Sequence, residues 1–400
     1  MYGLSNSQIE ELQSGLLKAR ITLTRGATTM VITSEDIVQG GLAIDRYCTS
    51  GDAIELGSAI AAALDLKLLN YDGRFDSVQF GGSELFVEIG KDDLWVPCGV
   101  YFVDTAPRML AQVNIEALDR MTYFDDLAIG AILGNFPMTL AELVANVGRV
   151  LQVPVMDVSE MLNADLEILG IVESNTTTWR TVIQNAALLM GTCAYMDRNG
   201  QLSFGWYADT GYEISPSNRY MDAGCDLKEQ NKVIRSLVFS DKTQSYTFGS
   251  GDESLQCSGY TISFNDTIDN VIGAVFQEVV GLTYRPFNAG IMQAWFLDPM
   301  DGVVWVDKNG VQTASVITHI NCVLNGHTTV QAVGEDAAGA VYNRSGMTQE
   351  MANAVDKIDN MQIGGVNLID LTKIRPVGTI KVNDGILAAN NKDVEIQLGE

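Results

Sequence analysis

A chain of 400 residues is longer than one hydrophobic core usually serves, which predicts roughly two to four domains. Its 46% hydrophobic content and mean hydropathy of +0.09 describe a foldable globular protein. With 25 basic against 50 acidic residues the net charge is −25, which disfavours binding to DNA phosphates or anionic lipid, since both need clustered Lys and Arg.

Near the start, Ser7-Gln-Ile-Glu10 has the form of a capping box for a short helix through Leu12, ended by Gly15. Residues 1–17 form this helical arm. From Lys18 to Thr33 two alternating segments flank Arg25-Gly26, the pattern of a hairpin. In Gly40-Gly-Leu-Ala-Ile-Asp-Arg-Tyr47 the alternation puts Leu42, Ile44 and Arg46 on one face. In Ile54-Glu-Leu-Gly-Ser-Ala-Ile-Ala-Ala-Ala-Leu-Asp-Leu-Lys-Leu68 it does the same for Leu64, Leu66 and Leu68. Strand patterns continue at Leu85–Ile89, Val100–Val103 and Val113–Leu118, so residues 18–124 read as one β-barrel or sandwich.

The pattern then changes. Thr139-Leu-Ala-Glu142 is a second capping box, and Leu140, Leu143, Val144, Val147, Val150 and Leu151 follow at helical spacing before Pro154. Another helix is predicted from Trp179 to Met190, then a hairpin around Asn199-Gly200. Residues 125–210 thus form an α/β insert. A strand at Val233–Phe239 opens the next region. An amphipathic helix follows, with Ile268, Val271, Ile272, Val275, Phe276, Val279 and Leu282 in one stripe. Strands at Val303–Val306, Ser315–Leu324 and Thr329–Val333 are separated by Asn309-Gly310 and Asn325-Gly326 turns, so residues 211–345 make a second β region. Over 346–363, Met347, Met351, Ala354, Ile358 and Met361 recur at 4-3-4-3 spacing, as on a coiled-coil seam or a helix packed on its own domain. Residues 364–400 carry short alternating patches.

The six cysteines never approach closer than 32 residues, so there is no Cys-x-x-Cys metal or redox motif; they read as small apolar residues in a reducing compartment. Met1-Tyr-Gly-Leu-Ser lacks a basic segment followed by an apolar core, and no apolar run reaches about 18 residues. Neither a secretory signal nor a membrane span is expected. Only two histidines occur. His319 and Cys322 lie three apart in a predicted strand and so on opposite faces. There is no Gly-x-Ser-x-Gly elbow, phosphate loop or His-Glu-x-x-His. Asp197-Arg-Asn199-Gly200 and Asp307-Lys-Asn309-Gly310 begin like calcium loops but lack the closing Glu, which favours hairpin turns. No catalytic residue, cofactor or metal site is expected.

Several motifs, taken in order, resemble hub proteins of phage tail tips and baseplates, also called tail-associated proteins. They are Asp45-Arg46, Glu55-Leu56-Gly57, Trp95-Val-Pro-Cys-Gly99 through Asp104, and Ile115-Glu-Ala-Leu-Asp119-Arg-Met121. Thr178-Trp-Arg180, Asp197-Arg-Asn-Gly200, Leu282-Thr-Tyr-Arg-Pro286 and Asp298-Pro299 follow. The resemblance covers residues 18–345. It implies a β-rich α+β fold in which two tail-tube-like β-barrel domains bracket a small α/β insert. It also implies a homotrimer that ends the tail tube and gates passage of DNA and tape-measure protein. Implied partners are a distal tail protein, the tape-measure C-terminus, and receptor-binding or fibre proteins, with double-stranded DNA passing through the lumen unbound. Assembly in the host cytoplasm and a place at the virion tail tip follow from the same resemblance. In such a channel the net negative charge would repel phosphate.

Two departures stand out. Gly364-Gly-Val-Asn-Leu-Ile369 looks like the start of the sugar-binding or lytic extension found in such proteins, yet only 31 residues follow it. The usual Gly-Asp after the Asp-Pro segment reads Asp301-Gly302. The readings set against the hub are a tail-associated peptidoglycan hydrolase or its anchoring region, and a secreted sugar-binding β-adhesin.

Overall fold

In the computed structural model, Ser5 rather than Ser7 caps the first helix, α1 (Asn6–Gln13). Ser5 Oγ accepts from the Gln8 backbone N–H, while Gln8 Oε1 accepts from Ser5 N at 2.9 Å. Gln8 takes the part foreseen for Glu10, and this phase turns Ile9 and Leu12 inward. Gly15, at φ +89°, ends the arm as predicted. The structure describes residues 1–334 apart from 110, 173, 175, 221–223, 242, 243, 252 and 260, together with four short strands between 375 and 397.

The predicted hairpin forms from β1 (Lys18–Arg25) and β2 (Thr28–Thr33), turning at Gly26 with φ +57°. After a 3-10 turn, β3 (Ile37–Tyr47) and β4 (Ala63–Leu69) pair antiparallel, with Leu42 opposite Leu66 and Ile44 opposite Leu64. All four of these side chains are buried, so the alternation in the sequence is the alternation of the sheet. Next come β5 (Glu84–Lys91), β6 (Leu94–Thr105), β7 (Arg108–Met109) and β8 (Gln112–Asp119).

The insert is anchored by β9 (Met138–Thr139) and α2 (Leu140–Leu151), whose Thr139–Glu142 capping box is made as foreseen. β10 (Glu167–Ile171), α3 (Trp179–Leu189), and the hairpin of β11 (Cys193–Met196) and β12 (Leu202–Gly205) complete it. Val182, Ile183, Ala186 and Leu189 of α3 are buried.

Beyond it run β13 (Ala208–Ile214), β14 (Asp226–Leu227), β15 (Lys232–Val233) and β16 (Ser236–Ser240). The single strand expected at Val233–Phe239 is broken because Ile234 N donates to Leu282 O and Arg235 N to Glu253 O. β17 (Ser245–Gly249), β18 (Ser254–Ser258), β19 (Ile262–Phe264), α4 (Ile268–Val279) and β20 (Thr283–Tyr284) follow. Gly281, at φ +91°, turns the chain before Leu282, so the helix stops short of its expected stripe. The last described strands of this unit are β21 (Phe287–Ile291), β22 (Asp301–Val306), β23 (Gln312–Val316), β24 (His319–Val323) and β25 (Thr328–Ala332).

Ser315–Leu324 is two strands rather than one. At Thr318 the backbone leaves β22: Thr318 N donates to Gln331 O, and Thr318 O accepts from Cys48 N. β23 therefore stays with β22 while β24 joins β3 and β25. The consequence is one sheet of twelve strands, ordered β14-β21-β25-β24-β3-β4-β8-β6-β5-β1-β2, with β7 on β8. It draws strands from both expected β regions, joined where Ile44 pairs with Cys322 and Arg46 with Ile320. The fold is β-rich α+β as expected. None of the described sheets closes into a barrel, and the large one ends on β14 and β2.

The chain divides into two units, Met1–Ala337 and Ala338–Glu400. In the second, β26 (Arg375–Pro376) pairs with β29 (Ile396–Gln397), and β27 (Ile380–Asn383) with β28 (Ile386–Ala389). No helix among the described residues is long and apolar enough to cross a membrane.

Candidate functional site

Three residues from separate motifs of the sequence meet inside the first unit. Arg46 stands near the end of β3, Arg198 in the β11–β12 turn and Asp298 in the loop before β22. Arg198 holds Asp298 with both edges of its fork, Nε to Oδ2 at 3.0 Å and Nη2 to Oδ1 at 2.9 Å. Arg46 Nη1 adds a third bond to Oδ1 at 2.9 Å. Further donors go to backbone carbonyls: Arg198 to Pro97, Trp295 and Leu297, and Arg46 to Cys98.

Local structure explains the placement. The Arg198 turn is an Asx type, with Asp197 Oδ1 accepting from Asn199 N and Gln201 N at 2.8 Å. Gly200 lies so close to β6 that a Cβ there would stand 2.9 Å from that of Val100. Burial acts to raise the Asp298 carboxyl, but Arg198 and Arg46 outweigh it and hold the group below its ordinary value.

The other motif residues are also keystones. Arg180 of α3 grips Asp125 through Nε at 2.5 Å and Nη2 at 2.7 Å, and donates to Ala59 O and Met121 O. Arg120 makes a bidentate pair with Glu84. Asp119 accepts from the backbone N–H groups of Ala62 and Met121, both at 2.9 Å. Burial nevertheless pushes its carboxyl up to about 7, against those donors and the fields of Arg180 and Arg46. Gly57, at φ +77°, sits where a Cβ would meet Gln184 O and Leu188 Cβ at 2.8 Å. The Glu-Leu-Gly motif is thus where the chain passes over α3.

A cleft of about 450 Å³ opens beside this ion cluster, and Tyr47, Tyr101, Asp119, Tyr195 and Trp206 contribute to its walls. The chemistry it offers is that of a built framework: Arg46, Arg198 and Asp298 are committed to one another. The nearby Cys48, Cys98 and Cys193 thiols are raised by burial and stay protonated. Among the described residues no group of three His, Cys, Asp or Glu could hold a metal ion. Asp307 Oδ1 likewise accepts from Asn309 N and Val311 N, so both calcium-loop look-alikes are hairpin turns.

His319 has a structural setting that the sequence did not disclose. Its Nε2 lies 2.6 Å from Asp45 Oδ1, its ring stacks on Tyr47 at 4.1 Å, and Tyr47 Oη donates to Asp45 Oδ2 at 2.8 Å. His319 and Cys322 do face opposite ways, the thiol being buried in the core. Met347, Met351, Ala354, Ile358 and Met361 lie outside the described residues. The one advance signal of the ion cluster was Arg46 itself, a charged residue sharing the face of buried Leu42 and Ile44.

No known sequence family and no curated protein sequence matches the chain. Solved structures do. The 43 kDa tail protein of prophage MuSo2 from Shewanella oneidensis superposes with a TM-score of 0.51 at 13% identity, over 79% of this chain and 98% of that one. A tail protein from Neisseria meningitidis gives a TM-score of 0.48 at 11% identity, over 80% of this chain and 97% of that one. Prophage tail protein gp18 from Listeria monocytogenes gives 0.47 at 12%, over 80% and 95%. The structural neighbours of this chain are phage tail and baseplate proteins, and its fold is that of the Shewanella prophage tail protein over nearly the whole of that molecule.

Proposed function

We propose that this chain is a structural protein of a phage tail tip, the hub of the baseplate or of a related injection device. The observation that carries the reading is the fold it shares with the prophage tail protein across 98% of that chain. A second supports it: the Arg and Asp residues of the motifs that suggested a hub are bonded to one another and to backbone, as parts of a frame. On this reading the chain is not an enzyme.

In its finer form three copies build a ring that ends the tail tube and gates passage of DNA and tape-measure protein. Residues 18–124 and 211–345 supply the tube-like β regions and 125–210 the insert between them. A distal tail protein, the tape-measure C-terminus and receptor-binding or fibre proteins are its neighbours in the virion. The net charge of −25 per copy suits a lumen that must not hold a phosphate backbone, provided acidic residues line it, because screening confines such a field to about 8 Å. The repeat of Met347, Met351, Ala354, Ile358 and Met361 belongs to this reading as a subunit seam, on its spacing alone.

Native mass spectrometry and negative-stain electron microscopy of the purified chain test it. A threefold ring with an open centre is the expected outcome. A monomer at micromolar concentration that also fails to assemble with neighbouring tail proteins overturns the proposal, and clearing of a cell-wall suspension by the chain alone overturns its non-enzymatic part.

A further inference from the structure

Cys48 and Cys193 stand far apart in the sequence, one just after β3 and the other opening β11, yet they share one small cluster inside the first unit. With Met300 they form a buried group separate from the main core, and Tyr195, Trp206 and Tyr207 pack against it. Ser58 lies between the two. Its hydroxyl donates to Cys48 O at 2.6 Å, and its carbonyl accepts from Ala194 N at 2.8 Å. Burial pushes both thiols up, and the neighbouring Cys193 adds to the rise at Cys48. Both thiols also act on the Tyr207 hydroxyl, whose Oη stands 3.2 Å from Cys48 Sγ. The sulfurs are close enough to feel each other's charge.

Neither thiol is spent on a strong bond. Cys48 Sγ reaches Thr318 O and Cys193 Sγ reaches Glu55 O, each at 3.4 Å, the weak contacts expected of S–H. Both residues contribute to the wall of the 450 Å³ cleft, which gives a small reagent a route that core cysteines lack. Cys98, the third cysteine on that wall, is set among Arg198, Arg46 and Asp298 instead of beside another thiol of the cleft.

We propose that Cys48 and Cys193 are a redox latch, a dithiol in a reducing compartment and a disulfide in an oxidising one, which closes the first β region onto the insert. The oxidant is a low-molecular-weight disulfide. One cysteine gives up its proton, and its thiolate attacks a sulfur of the reagent and expels the other half. The second cysteine, deprotonated in turn, attacks the protein-bound sulfur of this mixed disulfide and expels the remaining half. Two protein thiols are oxidised and one S–S bond forms, while the S–S bond of the reagent breaks and its two halves leave as thiols carrying the two protons. Burial keeps the thiolate scarce, so the exchange is slow and quickens as pH rises. The bond closes a long loop, which restricts the unfolded chain and stabilises the folded one. A tail protein made in a reducing cytoplasm and carried outside its host passes from the first state to the second. That timing rests on the function proposed above; the chemistry does not.

The test exposes the folded full chain to hydroxyethyl disulfide in mildly alkaline buffer, with circular dichroism showing that it stays folded. A non-reducing tryptic map should join peptide 47–67 to peptide 181–198, with the mass of the chain lower by two hydrogen atoms. The thermal midpoint should rise and fall back on addition of dithiothreitol. Cys48→Ser and Cys193→Ser should each lose both the link and the rise. Bond formation without unfolding requires the two Cα atoms to lie within about 7 Å, so the link itself measures the geometry. Free thiols in both peptides after prolonged exposure overturn the latch, as does a link that forms only in denaturant or that joins Cys98 instead. Those results leave the hub reading standing, whereas a linked chain that never assembles with tail proteins keeps the latch and removes the hub.

Discussion

Arg198 and Asp298, one hundred residues apart, are joined on the wall of the cleft by a hydrogen bond from Nε at 3.0 Å and an ion-pair contact from Nη2 at 2.9 Å. The guanidinium also serves three carbonyls from two other segments, Pro97 on one side and Trp295 and Leu297 on the other. One side chain thus ties the first β region, the insert and the last β region together.

Removing it should be severe. Arg198→Ala leaves three carbonyls short of a donor and the Asp298 carboxylate with Arg46 alone, at a cost of roughly 1–3 kcal/mol for each buried group left unsatisfied. Arg198→Lys keeps the charge but not the planar fork, and should recover only part of the loss. Urea denaturation midpoints decide the order wild type, Lys, Ala; a midpoint for the Ala variant equal to wild type refutes it.

The two acidic keystones respond to pH in opposite senses. Asp119 is raised from its ordinary 3.8 to about 7, so between those values the folded chain keeps a proton the unfolded chain has released. Its contribution to stability is complete below the ordinary value and is lost as pH rises through about 7. Asp298 is held below 3.8, so its contribution is present above that value and is lost as pH falls through its lowered folded value. Denaturation followed from acid to neutral pH should show a decline toward neutral that flattens in Asp119→Asn.

Gly57→Ala should cost more than about 1 kcal/mol, because the new Cβ is strained by φ +77° and meets Gln184 O and Leu188 at 2.8 Å. Gly26→Ala has a positive φ too, yet nothing within 4 Å, so its loss should be the smaller. Paired thermal melts compare them.

Thr139→Ala removes the cap of α2 and should cost about 1 kcal/mol, read as a lowered melting temperature with the fold retained.

Burial pushes the Cys322 thiol up to about 12, so alkylation at pH 8 should leave it unmodified in the folded chain and modify it in denaturant. Peptide mapping after iodoacetamide treatment reports the difference.

Local chemistry was the legible part of the fold. The Thr139–Glu142 box, the hairpins at Arg25-Gly26, Asn199-Gly200 and Asn325-Gly326, and the paired leucines of β3 and β4 all depend on residues a few positions apart. The end of α1 was legible but its start was not, because Ser5-Gln8 and Ser7-Glu10 both fit a cap and only packing of Ile9 and Leu12 chooses between them. The Ser315–Leu324 run hid a change of partners. Ile317 and Thr318 have ordinary strand character, and the break comes from Met300, Cys48 and Gln331 competing for their backbone groups. The ion cluster was legible only as an odd Arg on an apolar face, since nothing in the chain near Arg46 announces Asp298.

The junction of β3 with β24 brings Asp45 and His319 together across 274 residues of sequence. On a ribosome, β3 therefore emerges long before its lasting neighbour, with one edge of its backbone open throughout. Closure over so long a loop is slow, and a nascent chain in that state is exposed to wrong pairings. Synthesis of this protein should accordingly depend on chaperones or on dilution more than its native stability suggests, and truncation before residue 319 should yield chains that aggregate rather than a smaller folded piece.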